Sequence, residues 1–133
     1  MTPELFWLTL TALMTALFWA IYVLNRFAAR GVFEVLGGSP PEESTDLAPW
    51  ARRAIRAHHN AIENLAVFAP AVLVAHALNI STPVTVAAAM IYFAARLVHF
   101  IVYTLGVPVV RTLAFAAGWG AQLAILASIL HWI

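Results

Sequence analysis

The chain has 133 residues, enough for one domain, and 63% of them are hydrophobic against 10% charged, a balance far outside soluble usage that marks a membrane protein. A net charge of +1 gives no electrostatic case for nucleic acid, and the seven basic residues are all Arg. Cys is absent, which excludes a disulfide framework, a thiolate metal site and a protein thiol nucleophile; any sulfur chemistry must arrive with a ligand.

Residues Leu5 to Leu24 carry no charge and only Thr9, Thr11 and Thr15 as polar members. At about 1.5 Å per residue they cover a hydrocarbon core of roughly 30 Å, so a first span is predicted over about residues 5–26. The segment opens on Thr2-Pro3-Glu4 and runs into Asn25-Arg26, without the basic start and small-residue end of a secretory leader. Residues 27 to 49 form the first connection. Gly37-Gly38-Ser39-Pro40-Pro41 breaks every helical pattern, and Glu42-Glu43-Ser44-Thr45-Asp46 is solvated charge. Phe27 to Leu36 either prolongs the first helix or lies on the surface.

The second span is predicted over about 50–78, with Pro49 suited to a first helical turn. Its purely apolar part, Leu65 to Leu78, is too short to cross alone and contains His76. Counting about twenty residues back from Asn79 reaches Asn60, which draws Asn60 and Glu63 to the edge of the hydrocarbon or into it. Pro70 lies mid-span, where membrane helices tolerate a kink. A turn at 79–83 leads to a third span over about 84–105, and Gly106-Val107-Pro108 leads to a fourth over about 109–131. Ala87, Ala88, Ala89, Ala94 and Ala95, then Ala114, Ala117, Gly118 and Ala121, let these two backbones approach closely. The fold class is an all-α bundle of four transmembrane helices in a single domain.

Arg26, Arg30, Arg52, Arg53 and Arg56 flank the first connection and Arg111 follows the third, whereas the second turn and both termini carry none. The positive-inside rule puts the first and third connections in the cytoplasm and both termini on the non-cytoplasmic side. With Arg56 at 0°, Asn60 falls near +40° and Glu63 near −20° at about 100° per residue, a cation, an amide and a carboxylate on one stripe. On the third span Arg96, His99 and Tyr103 form a second stripe, with Tyr92 beside them. On the fourth, Gly118 and Gln122 share the face of Arg111. Arg56, Asn60, Glu63, Arg96, His99, Tyr103 and Arg111 fall in one cytoplasmic-side slice, and because an Arg facing lipid costs about 2.5 to 3.5 kcal/mol they are expected to face inward. Three cations against one anion in a partly dry pocket ask for an anionic ligand. Mutual neutralisation as structural glue is the competing reading. Of His58 and His59, about 100° apart, at most one joins the stripe. The five His show no metal spacing, so no metal site is expected.

At these residues the chain resembles the MAPEG family, the membrane-associated proteins in eicosanoid and glutathione metabolism, and is identified as a bacterial-type member. The likeness rests on Arg56-Ala-His58-His-Asn60-Ala-Ile-Glu63, on Arg96-Leu-Val-His99-Phe-Ile-Val-Tyr103 and on Arg111 opening the fourth span. It implies a homotrimer that binds glutathione, as co-substrate, at subunit interfaces on the cytoplasmic side. Arg56, Asn60, Glu63, Arg96, His99 and Tyr103 would hold the tripeptide, Arg26 would match a basic residue at the end of the first span, and Arg111 would be the catalytic cation beside the thiolate. A lipophilic electrophile would enter from the bilayer. Asn64 and Phe115 stand where several eukaryotic members carry Tyr, which argues against particular eicosanoid chemistry. The function expected is a glutathione transferase or peroxidase acting on lipophilic electrophiles. The alternatives are a non-catalytic binding or scaffold protein that keeps the anion pocket, and a small transporter or channel subunit, which the apolar outer halves of the helices disfavour.

Overall fold

A computed structural model describes residues 1–37 and 47–133. Helix α1 spans Pro3–Arg30, α2 Val32–Gly37, α3 Pro49–Ala77, α4 Pro83–Leu105 and α5 Pro108–Ile129. The four long ones are each apolar and long enough to cross a membrane. All four start with Pro at the first helical turn, where its missing N–H costs nothing and its fixed φ is already helical. The Thr82 and Thr85 side chains also close a reciprocal capping box at the start of α4. Helix α3 runs unbroken through Pro70.

Of the two readings left open for Phe27 to Leu36, the prolonged first helix holds as far as Arg30. Helix α1 continues through Phe27-Ala-Ala-Arg30, good helix formers, and stops at Gly31, whose φ of 81° ends the helical path; the short, exposed α2 follows. The breaker and acidic residues 38–46 singled out in the sequence lie outside the described residues.

Polarity is distributed inside out, as lipid requires. Leu13, Leu17, Leu24, Val109 and Leu113 are exposed, while α1 turns Glu4, Thr11, Thr15, Phe18, Tyr22 and Arg26 inward at helical spacing. With hydrocarbon on both sides of any apolar contact, the bundle is held by close packing and polar ties. In one half Phe18 stacks on Phe100 at 3.7 Å against Ala51, Ala54, Ala57 and Ala61 of α3. In the other Phe68 stacks on Tyr92 at 3.7 Å against Ala71, Ala75, Ala88 and Ala121. The α4–α5 pair is the closest of all.

Each end of the bundle has a polar clasp. At one end the Glu4 carboxylate, 3% exposed, accepts hydrogen bonds from Ser81 Oγ at 2.9 Å and Thr85 Oγ1 at 2.6 Å, tying the start of α1 to the α3–α4 turn. At the other, Arg53 Nε donates to the Thr104 carbonyl at 2.9 Å beside Gly106. Gly106 caps α4 at φ 82°, and a Cβ there would lie 3.2 Å from Arg53 Nε, so the turn needs glycine for both its backbone and its neighbour.

Glu4→Ala removes a buried, charge-assisted acceptor from two hydroxyls, the Thr85 hydroxyl keeping the Thr82 carbonyl at 3.0 Å, and is expected to cost about 2 kcal/mol. Glu4→Gln, which retains a carbonyl acceptor, should cost less; thermal melting of detergent-purified protein measures both.

Candidate functional site

A polar layer crosses the apolar bundle near the Arg53 end, and Arg96 is at its centre. The α4 stripe Tyr92, Arg96, His99 is buried, with Arg96 only 1% exposed. Arg96 Nη1 donates to Asn60 Oδ1 on α3 at 3.3 Å, and Nη2 donates to the α5 carbonyls of Phe115 at 3.2 Å and Ala114 at 3.5 Å. Its Cζ lies 5.6 Å from the Tyr92 ring centre and 5.3 Å from that of Phe115. Every one of these partners is neutral, so the cation is held by dipoles and π faces alone. The layer continues through Asn64 Nδ2, which donates to the Asn60 carbonyl at 2.8 Å, and Gln122 Nε2, which donates to the Asn64 carbonyl at 2.7 Å.

Beside this layer a cavity of about 280 Å³ is lined by Asn60, His99, Tyr103, Arg111, Thr112 and Phe115. His99 packs edge-on to Tyr103 at 5.5 Å, and Arg111, half-buried at the first turn of α5, holds its Cζ 4.6 Å from the Tyr103 ring centre. Three helices supply the lining: α3 one amide, α4 residues four apart, and α5 Arg111, Thr112 and Phe115. Three further grooves, between α4 and α5 and along α1, are lined by apolar side chains. An arginine at the rim, an amide, an imidazole and two hydroxyls suit a small, acceptor-rich ligand.

The cavity therefore gathers Asn60, His99, Tyr103 and Arg111 from the sequence-predicted set, and Arg96 adjoins it through Asn60. Arg56 and Glu63 are exposed on the outer side of α3, contrary to the expectation that they face inward. The cause is rotational. Ala51, Ala54, Ala57, His58 and Ala61 form a face of α3 packed into the bundle, about 100° of helix or more from Arg56 and Glu63, and of the stripe only Asn60 lies near its edge. Arg26 is buried on α1, one turn beyond Tyr22 and outside the cavity lining. Of the adjacent histidines, His58 is the buried one, hydrogen bonded through Nδ1 to the Tyr22 hydroxyl at 3.0 Å, and His59 is exposed. Thr112 was missed by sequence reasoning, and Phe115, which stands four residues after Arg111 and so shares its face, was singled out only as a departure from the family pattern. Among the described residues no cluster of His, Asp or Glu is built to hold a metal ion.

Fold and site together define a multi-pass integral membrane protein with a cationic cavity set among three of its helices. The family model for the MAPEG family matches residues 5–131, so the chain belongs to the MAPEG family, membrane proteins of glutathione and eicosanoid metabolism. Neither the curated proteins nor the solved structures provide a match.

Tyr103 puts its ring face under Arg111 in this cavity, a contact worth about 0.5 to 1 kcal/mol where partly exposed. Tyr103→Phe, which keeps that face, should melt like the wild type. Tyr103→Ala should lose about 1 to 2 kcal/mol once its packing against the α1–α3 core is included.

Proposed function

We propose that the protein is a glutathione-dependent membrane transferase or peroxidase that acts on lipophilic electrophiles. The observation that carries this reading is the cavity formed by Asn60, His99, Tyr103 and Arg111 in a chain of the MAPEG family. Glutathione brings two carboxylates, an ammonium and the thiol that the Cys-free chain lacks. Donors from Arg111 and Asn60 suit its carboxylates and thiolate, and Glu63 suits its ammonium. A free thiol near pKa 8.5 is mostly protonated at neutral pH; a fixed cation favours the anion, worth about 1.4 kcal/mol for each unit by which it is lowered. Arg111 at the rim is the catalytic cation in this scheme. The thiol proton passes to water, the sulfur lone pair attacks the electrophilic carbon, and a halide or alkoxide leaves as the C–S bond forms.

One protomer supplies only part of such a site. A cavity of about 280 Å³ is at the small end for a ligand pocket, and the exposed Arg56 and Glu63 lie where lipid contact is costly. A homotrimer, in which α3 of one copy faces the cavity of the next, covers both charges and enlarges the pocket. Arg56, Glu63 and the α1-terminal Arg26 join the site in that assembly, with both chain termini on the non-cytoplasmic side.

Detergent-purified protein should bind glutathione, show ultraviolet thiolate absorbance and conjugate an activated aryl chloride. Arg111→Ala should lose the thiolate signal and about ten- to hundredfold in turnover while affinity falls far less. A non-catalytic scaffold with the same pocket would instead lose affinity alone, and absence of binding at millimolar glutathione overturns the reading.

A further inference from the structure

The residue that decides how Arg96 sits is one without a side chain. Gly118 is buried on α5, and a Cβ built there would come within 2.5 Å of Arg96 Nη2, 2.9 Å of Nε and 3.0 Å of Cζ. No carbon is tolerated at such distances, so any larger residue must drive the guanidinium out of its seat. Arg96 is enclosed and has nowhere to retreat without releasing Asn60 on one side and the Ala114 and Phe115 carbonyls on the other. Gly118 is therefore a notch cut for Arg96.

The second observation concerns the amide at the far end of that guanidinium. Asn60 lines the cavity, and its Oδ1 is committed to Arg96 Nη1. An amide whose oxygen is turned to a cation has its orientation set, with the two N–H donors directed away from that cation and one oxygen lone pair still open. Arg96 itself does not line the cavity, so its effect on a ligand passes through Asn60.

We propose that Gly118 and Arg96 are a positioning pair that locks the Asn60 amide with its N–H donors free for the cavity, making it selective for acceptor ligands such as carboxylates. This rests on the reading of the cavity as a glutathione site, and it assigns Arg96 a task other than direct contact with the tripeptide. The same seat joins α4 to the α5 carbonyls four and three residues before Gly118.

A double-mutant cycle on the detergent-purified full chain tests the pair, using Gly118→Ala, Arg96→Leu and both together, with melting temperature and glutathione kinetics as readouts. In the wild-type background Gly118→Ala should lower melting by several degrees through overpacking. In the Arg96→Leu background, where the shorter apolar side chain vacates the notch, the same change should cost nothing. Both Arg96→Leu variants should melt near or above the wild type, because a cation without a buried anion has been removed. Both should nevertheless show KM for glutathione raised about tenfold, the loss of one oriented hydrogen bond to a charged group, with kcat at saturation within about threefold because Arg111 is intact. Gly118→Ala alone should share that KM defect. A melting penalty for Gly118→Ala that is equal in the two backgrounds overturns the proposal, as does wild-type KM in the Arg96→Leu variants. A wild-type protein that fails to bind glutathione sinks the reading of the site instead, and the melting cycle still decides whether Gly118 is the seat of Arg96.

Discussion

A guanidinium buried within a lipid-facing bundle is the constraint on which the rest of this structure turns. An isolated cation at that depth is costly, and among the described residues Arg96 meets no carboxylate to share the cost. It is kept by surrounding it with dipoles and rings: an amide oxygen from α3, two main-chain carbonyls from α5, and the faces of Tyr92 and Phe115. Each demand constrains a different element. Two α5 carbonyls must accept from Arg96 within a continuous helix, the two helices must come close enough for a side chain to bridge them, and α3 must present Asn60 at the right height. A larger residue at 118 or an apolar one at 60 breaks this arrangement, so the polar layer fixes the relative placement of three helices that hydrophobic packing alone leaves free to slide.

The same logic explains where the other polar groups sit. In water a bundle excludes its charges from the core; here apolar side chains lose nothing by facing lipid, and specificity must come from contacts that cannot be made elsewhere. Glu4 with Ser81 and Thr85, Arg53 with the Thr104 carbonyl, and Tyr22 with His58 are each such a contact between different helices. They lie at both ends and on the α1–α3 seam. Several other hydroxyls close on their own helix, as Thr9, Thr11 and Ser128 do with the carbonyl four residues back.

Much of this was legible in the sequence. The four spans follow from apolar length and from the breaks between them, and the depth coincidence of Asn60, His99, Tyr103 and Arg111 follows from counting residues from the turns, because rise per residue is fixed whatever a helix packs against. Rotation was less legible. The angular stripe of Arg56, Asn60 and Glu63 is real, but a helical wheel gives angles within one helix and no zero point relative to its neighbours. That zero is set by the run of Ala51, Ala54, Ala57 and Ala61 and by the His58–Tyr22 bond, so the stripe straddles the edge of the bundle with only Asn60 inside. Glu4 escaped notice for a related reason: an acidic residue in the first turn of a helix reads as a dipole partner, and its carboxylate turns out to be bound by hydroxyls some eighty residues away.

The two arginines of the site also divide its work by how firmly each is held. Arg96 has three hydrogen bonds, two ring faces and no exposure, so moving it means breaking several buried contacts at once. Arg111 is half-buried and rests on Tyr103, a contact of about 0.5 to 1 kcal/mol that a charge-assisted hydrogen bond to an anion exceeds. A rigid cation preorganises its surroundings without reaching for the ligand, whereas a loosely seated one can leave its ring to meet a negative charge as it forms. Under the proposed reading, the thiolate that forms beside Arg111 meets a cation already within reach, while Arg96 keeps the surrounding lining in place.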